Sequence, residues 1–373
     1  MSESNFFCHL PFVSIDTDGR HASPCCAFTS RPIPLDGYES NSIIIDTKQK
    51  LFRGIQPEGC IKCIETEKLS GKSFRILANE FHPHYTKEVL DHDDTYSSLK
   101  IVNVVGSNIC NLKCLPCYGG SYVRDKELFQ LGLIHSLPQV RKLENISKII
   151  KPDIKQITLC AGEPFYDRDS WNLLQALAAT GQSKQIRVDI NTNLTHITDE
   201  KLDFLSHNFD SVWIKGSIDG IGAVNDYLRY PSQWHTIEKS VDLILSRPEI
   251  SFVVTTALSN LSLLRYHELF AWVQSKKIFN CFITHVLGPK LLSCNNLPEK
   301  TKQNLKIIYQ DLQSTSGLSD RTSYALEICY NLCQKNDINH SFSMIELSEY
   351  LDLHDKHRGT SWRTVFPELT SIS

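Results

Sequence analysis

The chain has 373 residues, of which 41% are hydrophobic and 13 are cysteine, and its formal net charge is −3. This length and hydrophobic content predict a globular protein with one large domain and one or two smaller ones. The near-balanced charge, without a run of basic residues interleaved with aromatic ones, gives no support for a nucleic-acid partner.

The N-terminus carries no sign of a targeting segment. Residues 1–7 are polar and lack a basic start followed by an apolar core, and no stretch of the chain approaches 18 uninterrupted apolar residues. We therefore expect a cytoplasmic protein without a membrane partner. In that compartment the cysteines are expected to be metal ligands or reduced thiols rather than disulfides.

The first segment, residues 1–95, is predicted to be a small cysteine-rich module. The alternating sequence 13–16, followed by an Asp18-Gly19 turn, predicts a hairpin with thiols at both ends, and a helix over 47–55 then leads into a Cys-x2-Cys pair. Two thiols from each part can complete a four-ligand site, and the sequence leaves zinc and iron-sulfur both open. The cysteines concerned are Cys8, Cys25, Cys26, Cys60 and Cys63.

The second segment, residues 96–300, alternates six predicted strands with helices, which is typical of a parallel α/β sheet with right-handed crossovers. The strands are predicted at 101–105, 154–160, 186–190, 211–216, 250–258 and 280–287, and the helices at 122–150, 170–179, 199–207, 233–246 and 263–276. Polar or glycine-rich motifs follow the first four strands. Because the carboxyl ends of parallel strands meet at one edge, these motifs are expected to share one site.

The motif after the first strand contains three thiols, Cys110, Cys114 and Cys117, in the spacing Cys-x3-Cys-x2-Cys. Three thiolates on a four-iron cube leave one iron open to a further ligand. A zinc site completed by a distant fourth ligand is the alternative. The spacing resembles that of the radical S-adenosylmethionine (SAM) superfamily, with Pro116 where that family usually has an aromatic residue.

The resemblance implies a partial (β/α)6 TIM-like barrel over residues 96–300. It also implies a 4Fe-4S cluster that passes one electron into bound SAM, which is cleaved to methionine and a 5'-deoxyadenosyl radical. A flavodoxin- or ferredoxin-type reductant is the expected partner.

The other strand-end motifs supply the SAM contacts that the resemblance implies. Glu163, in Ala161-Gly162-Glu163-Pro164, occupies the place of the Gly-Gly-Glu motif that binds the SAM amino group, with Ala161 in place of the first glycine. Ser217 and Asp219 end the fourth strand, where the family contacts the ribose hydroxyls or the methionyl carboxylate. Asn193 is a further candidate contact, Arg229 suits the methionyl carboxylate and Tyr118 the adenine, with a turn residue, a surface arginine and a cover for the loop as the respective alternatives.

The N-terminal cysteines, with the residues after them, resemble the twitch or SPASM-type auxiliary cluster module of the same superfamily. The residues that carry this likeness are Glu67, Gly71, Ser73, Arg75 and Asn79. The resemblance implies a second 4Fe-4S cluster on Cys8, Cys25, Cys60 and Cys63, with Cys26 as the alternative to Cys25.

Other cysteines and the tail have no assigned chemistry. Cys160 is either a hydrogen-atom donor to a substrate radical or a buried strand cysteine. Cys329 and Cys333 are expected to lie on one face of a helix, as residues of the protein core. The third segment, 301–373, is predicted to be a helical extension that caps the barrel. Asp355 and Arg358 in this extension can form an ion pair on one helix.

The sequence thus predicts a radical SAM enzyme, with peptide or protein modification as the first choice of reaction. The alternatives are radical oxidation of a small alcohol or sugar, and a non-catalytic metal- or iron-sulfur-binding protein. A methyl- or aminocarboxypropyl transferase would usually show extra cysteines or a further cofactor domain, which the sequence lacks.

Overall fold

The computed structural model describes residues 6–71, 73–105, 107–117, 119–145, 148, 153–160, 162–286, 288–334 and 344–372. In this part of the chain nine strands form one sheet, in the order β3-β2-β1-β4-β5-β6-β7-β8-β9. Their bounds are β1 Ser14–Thr17, β2 His21–Ser23, β3 Ile33–Pro34, β4 Ile101–Val104, β5 Gln156–Leu159, β6 Arg187–Thr192, β7 Ser211–Ser217, β8 Ile250–Leu258 and β9 Cys281–His285.

Strands β4 to β9 are neighbours in chain order and are all parallel. Helices follow β5 to β8, so this part of the chain is the predicted partial barrel of strand-helix units. The helices of this region are α6 Tyr122–Gln130, α7 Arg168–Ala179, α8 Asp199–Asn208, α9 Ala223–Leu228, α10 Trp234–Leu245 and α11 Asn260–Ser275.

The N-terminal hairpin extends the same sheet. Strands β1 and β2 are antiparallel as predicted, but β1 also pairs in parallel with β4 and places Asp16 beside Asn103. The cysteine-rich segment is therefore joined to the first barrel strand through backbone hydrogen bonds. The helices before the barrel are α1 Leu10–Val13, α2 Ser42–Phe52, α3 Ile61–Ser70, α4 Phe74–Phe81 and α5 Pro83–Leu90.

The two faces of the barrel sheet differ in polarity because side chains alternate along each strand. On β6, Val188 and Ile190 are buried in one hydrophobic core with residues of α7, α8 and α10, whereas Asp189 lies on the opposite face. Asp16, Asn103, Thr158 and Asp189 are register partners on four adjacent strands. The apolar face packs on the helices, and polar side chains, several of them buried, line the opposite face.

The predicted length of the first long helix, residues 122–150, was wrong. Helix α6 ends at Gln130 instead of continuing to residue 150, and residues 131–145 contain no helix. Gly132, at φ +71°, ends the helix in a left-handed conformation, and Pro138 lacks the N–H that a helix interior requires. Most of the remaining predicted stretch lies outside the described residues.

The C-terminal extension is helical, as predicted. Its helices are α12 Glu299–Gln313, α13 Asp320–Gln334, α14 Met344–Arg358 and α15 Trp362–Val365. Cys329 and Cys333 are buried in the core on α13. Among the described helices, none combines the length and apolar character needed to cross a bilayer. The predicted domain boundaries at 95 and 300 stay a prediction.

Candidate active site

The three-cysteine loop follows β4 and is held in place by main-chain hydrogen bonds on both sides. The Ile109 carbonyl accepts from Glu163 N at 2.8 Å. Lys113 N donates to the Tyr230 carbonyl at 2.6 Å, and Leu115 N donates to the Leu228 carbonyl at 2.7 Å. The loop therefore lies between the turn after β5 and the segment after β7, at the carboxyl edge of the sheet.

Cys114 is buried, Cys110 and Cys117 are half-buried, and the three thiols are close enough to influence one another. Burial, followed by the charge of Cys114, raises the pKa of both Cys110 and Cys117 to about 12. Burial also raises the pKa of Cys114, while Arg229 opposes that rise. Three neighbouring sulfurs on one loop are a donor set that suits an iron-sulfur cluster, whose positive iron ions keep thiolates deprotonated.

The turn after β5 packs directly on the start of the cysteine loop. Gly162 has φ +60°, and a Cβ added there would lie 2.4 Å from the Ile109 carbonyl oxygen. This position therefore requires glycine, both for its conformation and for its close approach to the loop. Ala161, the preceding residue of the predicted motif, lies outside the described residues, as does Tyr118.

Glu163 is fully buried and connects the ends of β5 and β6. Its carboxylate accepts hydrogen bonds from Thr192 Oγ1 at 2.7 Å, from Asn193 N at 2.5 Å and from Phe165 N at 3.1 Å. Burial raises its pKa, and these hydrogen bonds oppose the rise. The carboxylate thus has three protein donors, and its contact with the SAM amino group stays a prediction.

Asn193 reaches the cysteine loop from the end of β6. Its Nδ2 donates to Asn111 Oδ1 at 2.9 Å and lies 3.8 Å from Cys110 Sγ. Asn111 Nδ2 in turn donates to Thr195 Oγ1 at 2.9 Å. The sequence prediction included Asn193 but missed Asn111 and Thr195, although both are polar residues within strand-end loops.

Arg229 lies beside the cysteine loop and retains a free donor. Its Nη1 forms an ion pair with the buried carboxylate of Asp219 at 2.8 Å, while its Nε is buried without a hydrogen-bond partner. Burial by itself would lower the Arg229 pKa, but the charges of Cys114 and Asp219 outweigh burial and raise it. Ser217, the last residue of β7, is half-buried on the polar face. Arg229 is thus a permanent cation whose Nε is free to bind an anionic group.

Cys160 follows β5 on the polar face of the sheet. Its Sγ lies 3.6 Å from the Val104 carbonyl, and burial raises its pKa well above the ordinary value of a thiol. Its charged neighbours include Asp16, Asp189 and Lys215. This placement is compatible with either predicted role, which stays open.

The sequence prediction missed the charged residues of the polar face. Asp189 is fully buried and forms ion pairs with Arg187 at 2.6 Å and with Lys215 at 2.7 Å. The alternation Arg187-Val188-Asp189-Ile190-Asn191 was a readable signal, because it separates charged from apolar positions with the period of a strand.

The structure gathers the N-terminal cysteines into one neighbourhood. The charges of Cys60 and Cys63 act on Cys8, and those of Cys8 and Cys26 act on Cys25. Burial raises the pKa of all five thiols. Within the described ranges, no group of three or more His, Cys, Asp or Glu side chains is arranged to hold a single metal ion.

The residues after the Cys-x2-Cys pair hold the main chain next to Cys8. Arg75 Nη1 and Asn79 Nδ2 both donate to the Phe7 carbonyl at 2.9 Å, and Arg75 pairs with Glu67 at 2.9 Å. This geometry gives a physical reason for the sequence pattern that carried the resemblance to an auxiliary module. It leaves the nature of the bound metal and the choice between Cys25 and Cys26 as predictions.

Comparisons with known proteins place the cysteine loop within a recognised family segment. Residues 104–256 match the family described as the Radical SAM superfamily. No curated protein matches the chain.

Several solved structures are similar to this chain at low sequence identity. Native anSMEcpe with bound AdoMet has 18% identity and a TM-score of 0.42, over 57% of this chain and 61% of that one. SuiB from Streptococcus suis has 14% identity and a TM-score of 0.41, over 74% and 63%. TYW1 with a lysine-pyruvate adduct has 12% identity and a TM-score of 0.32, over 56% and 70%. The chain thus spans about 60% of the length of the first two structures.

Proposed function

We propose that this chain, in which residues 104–256 are a radical SAM domain, is an enzyme that cleaves SAM reductively and uses the radical to modify a peptide or protein. One observation carries the proposal. Within the matched segment, three thiols lie on a loop that is held at the carboxyl edge of a parallel sheet, beside an arginine with a free buried donor.

The residues present fit the cofactors that this chemistry needs. Cys110, Cys114 and Cys117 would ligate a 4Fe-4S cluster through their thiolates. When bound, the cluster supplies one electron to the sulfonium of SAM. Arg229 would bind the SAM carboxylate through its free Nε, because a charged donor and a carboxylate form a short, strong hydrogen bond.

The polar strand ends would bind the rest of SAM. Asn193 holds the loop next to Cys110, and Ser217 and Asp219 lie at the end of β7. The Glu163 carboxylate keeps the β5 and β6 ends together and places its turn against Ile109. We propose that this turn binds the SAM amino group.

The substrate would lie on the polar face. Asp16, Asn103 and Thr158 form a polar row with the Asp189–Lys215 ion pair, and such groups suit hydrogen bonding to peptide amides and polar side chains. Peptide modification itself is proposed by analogy with radical SAM enzymes that carry auxiliary cluster modules.

The N-terminal thiols would hold a second 4Fe-4S cluster. We propose Cys8, Cys25, Cys60 and Cys63 as its ligands, since their burial and mutual proximity require a cation once they are deprotonated. This cluster would accept an electron from the substrate radical or hold the substrate. A flavodoxin- or ferredoxin-type protein is the proposed reductant.

The test is anaerobic reconstitution of the full chain with iron and sulfide, followed by iron counting and an assay for 5'-deoxyadenosine from SAM under strong reductant. We expect about eight irons per chain for two four-iron clusters, and deoxyadenosine formation that Cys114→Ala abolishes. The matched control is Cys333→Ala, which removes a buried core thiol of the C-terminal extension.

Each alternative outcome has a distinct meaning. About four irons with the same activity would keep the radical enzyme and assign zinc, or no metal, to the N-terminal thiols. An intact, reducible cluster that forms no deoxyadenosine would refute the proposed activity.

A further inference from the structure

A buried network of three charged residues joins α14 of the C-terminal extension to the cysteine loop. Arg124 and Glu127 lie on α6, directly after the loop, and Arg358 is the last residue of α14. The side chains of Arg124 and Glu127 are fully buried, and that of Arg358 is 1% exposed. Burying three charges is costly unless each is paired, so their contacts need an explanation.

Glu127 is at the centre of the network and pairs with both arginines. Its Oε1 accepts from Arg358 Nε at 2.9 Å, and its Oε2 accepts from Arg358 Nη2 at 2.6 Å and from Arg124 Nη1 at 2.5 Å. Although burial alone would raise the Glu127 pKa, the hydrogen bonds and charges of the two arginines lower it to about 2. The carboxylate is therefore ionised, and the three groups carry one net positive charge.

Each arginine also donates to the main chain of the cysteine loop. Arg358 Nη2 donates to the Lys113 carbonyl at 2.6 Å, and Arg124 Nη2 donates to the Leu115 carbonyl at 3.0 Å. These two carbonyls flank Cys114 on either side. The network therefore holds the main chain on both sides of Cys114.

A second set of contacts fixes the two guanidinium groups. His354 Nε2 and the Tyr350 hydroxyl, both on α14, accept from Arg124 at 2.8 Å and 3.0 Å. The Arg358 guanidinium stacks 4.9 Å from the centre of the Tyr230 ring, and the Tyr230 carbonyl accepts from Lys113 N.

The predicted ion pair between Asp355 and Arg358 was wrong, because Asp355 instead accepts from Thr360 Oγ1 and Trp362 N.

We propose that Arg124, Glu127 and Arg358 are positioning residues, which hold Cys114 in place and raise the reduction potential of the cluster through their net positive charge. A nearby cation stabilises the reduced cluster, because reduction adds negative charge, and water exclusion strengthens the interaction. The inference rests on the proposed function, since it concerns the cluster that the three thiols would ligate. It assigns to α14 of the C-terminal extension a direct role in the electron-transfer site.

The first test is a redox titration of the reconstituted full chain, followed by electron paramagnetic resonance of the signal that changes on addition of SAM. Arg358→Met should lower the ratio of reduced to oxidised cluster about tenfold at a fixed solution potential, which corresponds to about 59 mV for one electron. Glu127→Gln removes the anion and should shift the potential in the opposite direction.

Two further variants distinguish the effect of a lost charge from the effect of a disrupted fold. Arg358→Lys retains the cation and should restore most of the potential. Arg363→Met is the matched control, because Arg363 is 52% exposed and pairs with Asp352 on the protein surface, and its loss should leave the potential unchanged. Equal potentials in the wild type, Arg358→Met and Glu127→Gln, or shifts of the same sign, would overturn the inference.

The second test measures positioning in the iron-free protein. Cys114 is 8% exposed and Cys329 is fully buried, so alkylation of each thiol can be followed by mass spectrometry. Arg358→Met should accelerate alkylation of Cys114 at least about fivefold without changing that of Cys329. Equal acceleration at both thiols would indicate general unfolding and would contradict a specific positioning role, as would no acceleration.

The two proposals fail in different ways. A wild-type chain without a SAM-responsive cluster signal would refute the proposed function and this inference together. A wild-type chain with that signal, and variants with unchanged potential, would refute the inference alone.

Discussion

Replacing Gly162 by alanine should disrupt the cysteine loop without touching a thiol. Gly162 has φ +60°, in the left-handed region that costs a non-glycine residue about 1–2 kcal/mol. The new Cβ would also lie 2.4 Å from the Ile109 carbonyl oxygen and 3.1 Å from its carbon. To relieve this overlap, the turn and the loop must separate by more than half an ångström.

That separation acts on a specific hydrogen bond. The Ile109 carbonyl accepts from Glu163 N at 2.8 Å, and loss of such a bond costs about 1 kcal/mol. The expected destabilisation of Gly162→Ala is therefore about 2–3 kcal/mol, from conformational strain and the lost bond together. Because Ile109 precedes Cys110, iron incorporation should fall as well.

Gly181→Ala is the matched control for this substitution. Gly181 has φ +73°, but an added Cβ would meet no atom within 4 Å. The Gly181→Ala protein should lose only the stability that corresponds to the backbone strain, about 1–2 kcal/mol, and its iron content should be unchanged. The assay is urea denaturation of the iron-free proteins, followed by iron counting after reconstitution. A Gly162→Ala protein as stable and as rich in iron as Gly181→Ala would refute the reasoning.

Two further predictions concern Arg229 and His354. Arg229→Lys keeps a cation for Asp219 but removes the free Nε. The KM for SAM should therefore rise at least about tenfold, while the iron content should stay unchanged. An unchanged KM would contradict the assigned contact. Burial, followed by the facing charge of Arg124, lowers the His354 pKa from 6.5 to about 3, with Glu127, Arg358 and Tyr350 packed around it. As the pH falls, His354 is therefore protonated in the unfolded chain at a higher pH than in the folded one. The folded state loses stability as the pH falls below about 6.5. Between pH 7.5 and 5.5 the wild type should lose about 1.4 kcal/mol more than His354→Gln in urea denaturation, and equal losses would refute this.

Local sequence patterns were sufficient to predict most of the strands and helices of the barrel. The six predicted strands correspond to β4–β9, and the predicted hairpin corresponds to β1 and β2. Strand and helix periodicities are properties of neighbouring residues, so they are readable without knowledge of the fold. The spacing of Cys110, Cys114 and Cys117 is likewise local, because all three lie on one loop.

The sequence prediction overlooked Gly132 and Pro138, which are local stop signals after α6, and it could not identify contacts with distant elements. The stretch after Gln130 leaves the helix and runs past the cysteine loop, where Arg141 N donates to Asn108 Oδ1 at 2.8 Å. Similarly, Glu163 is fully buried, and the end of β6 supplies two of its three hydrogen-bond donors, Thr192 and Asn193. Neither partner can be identified from the residues adjacent in sequence.

The sequence by itself determined the strand-helix order, the hairpin and the spacing of the three thiols on one loop, because each depends on short-range periodicity or spacing. The tertiary structure alone decided that β1 pairs with β4 and that Arg358 reaches Glu127 across 231 positions of the chain. Such contacts form only when packing of the whole core offsets the entropy of closing long loops, and that balance leaves no pattern in any single stretch of sequence.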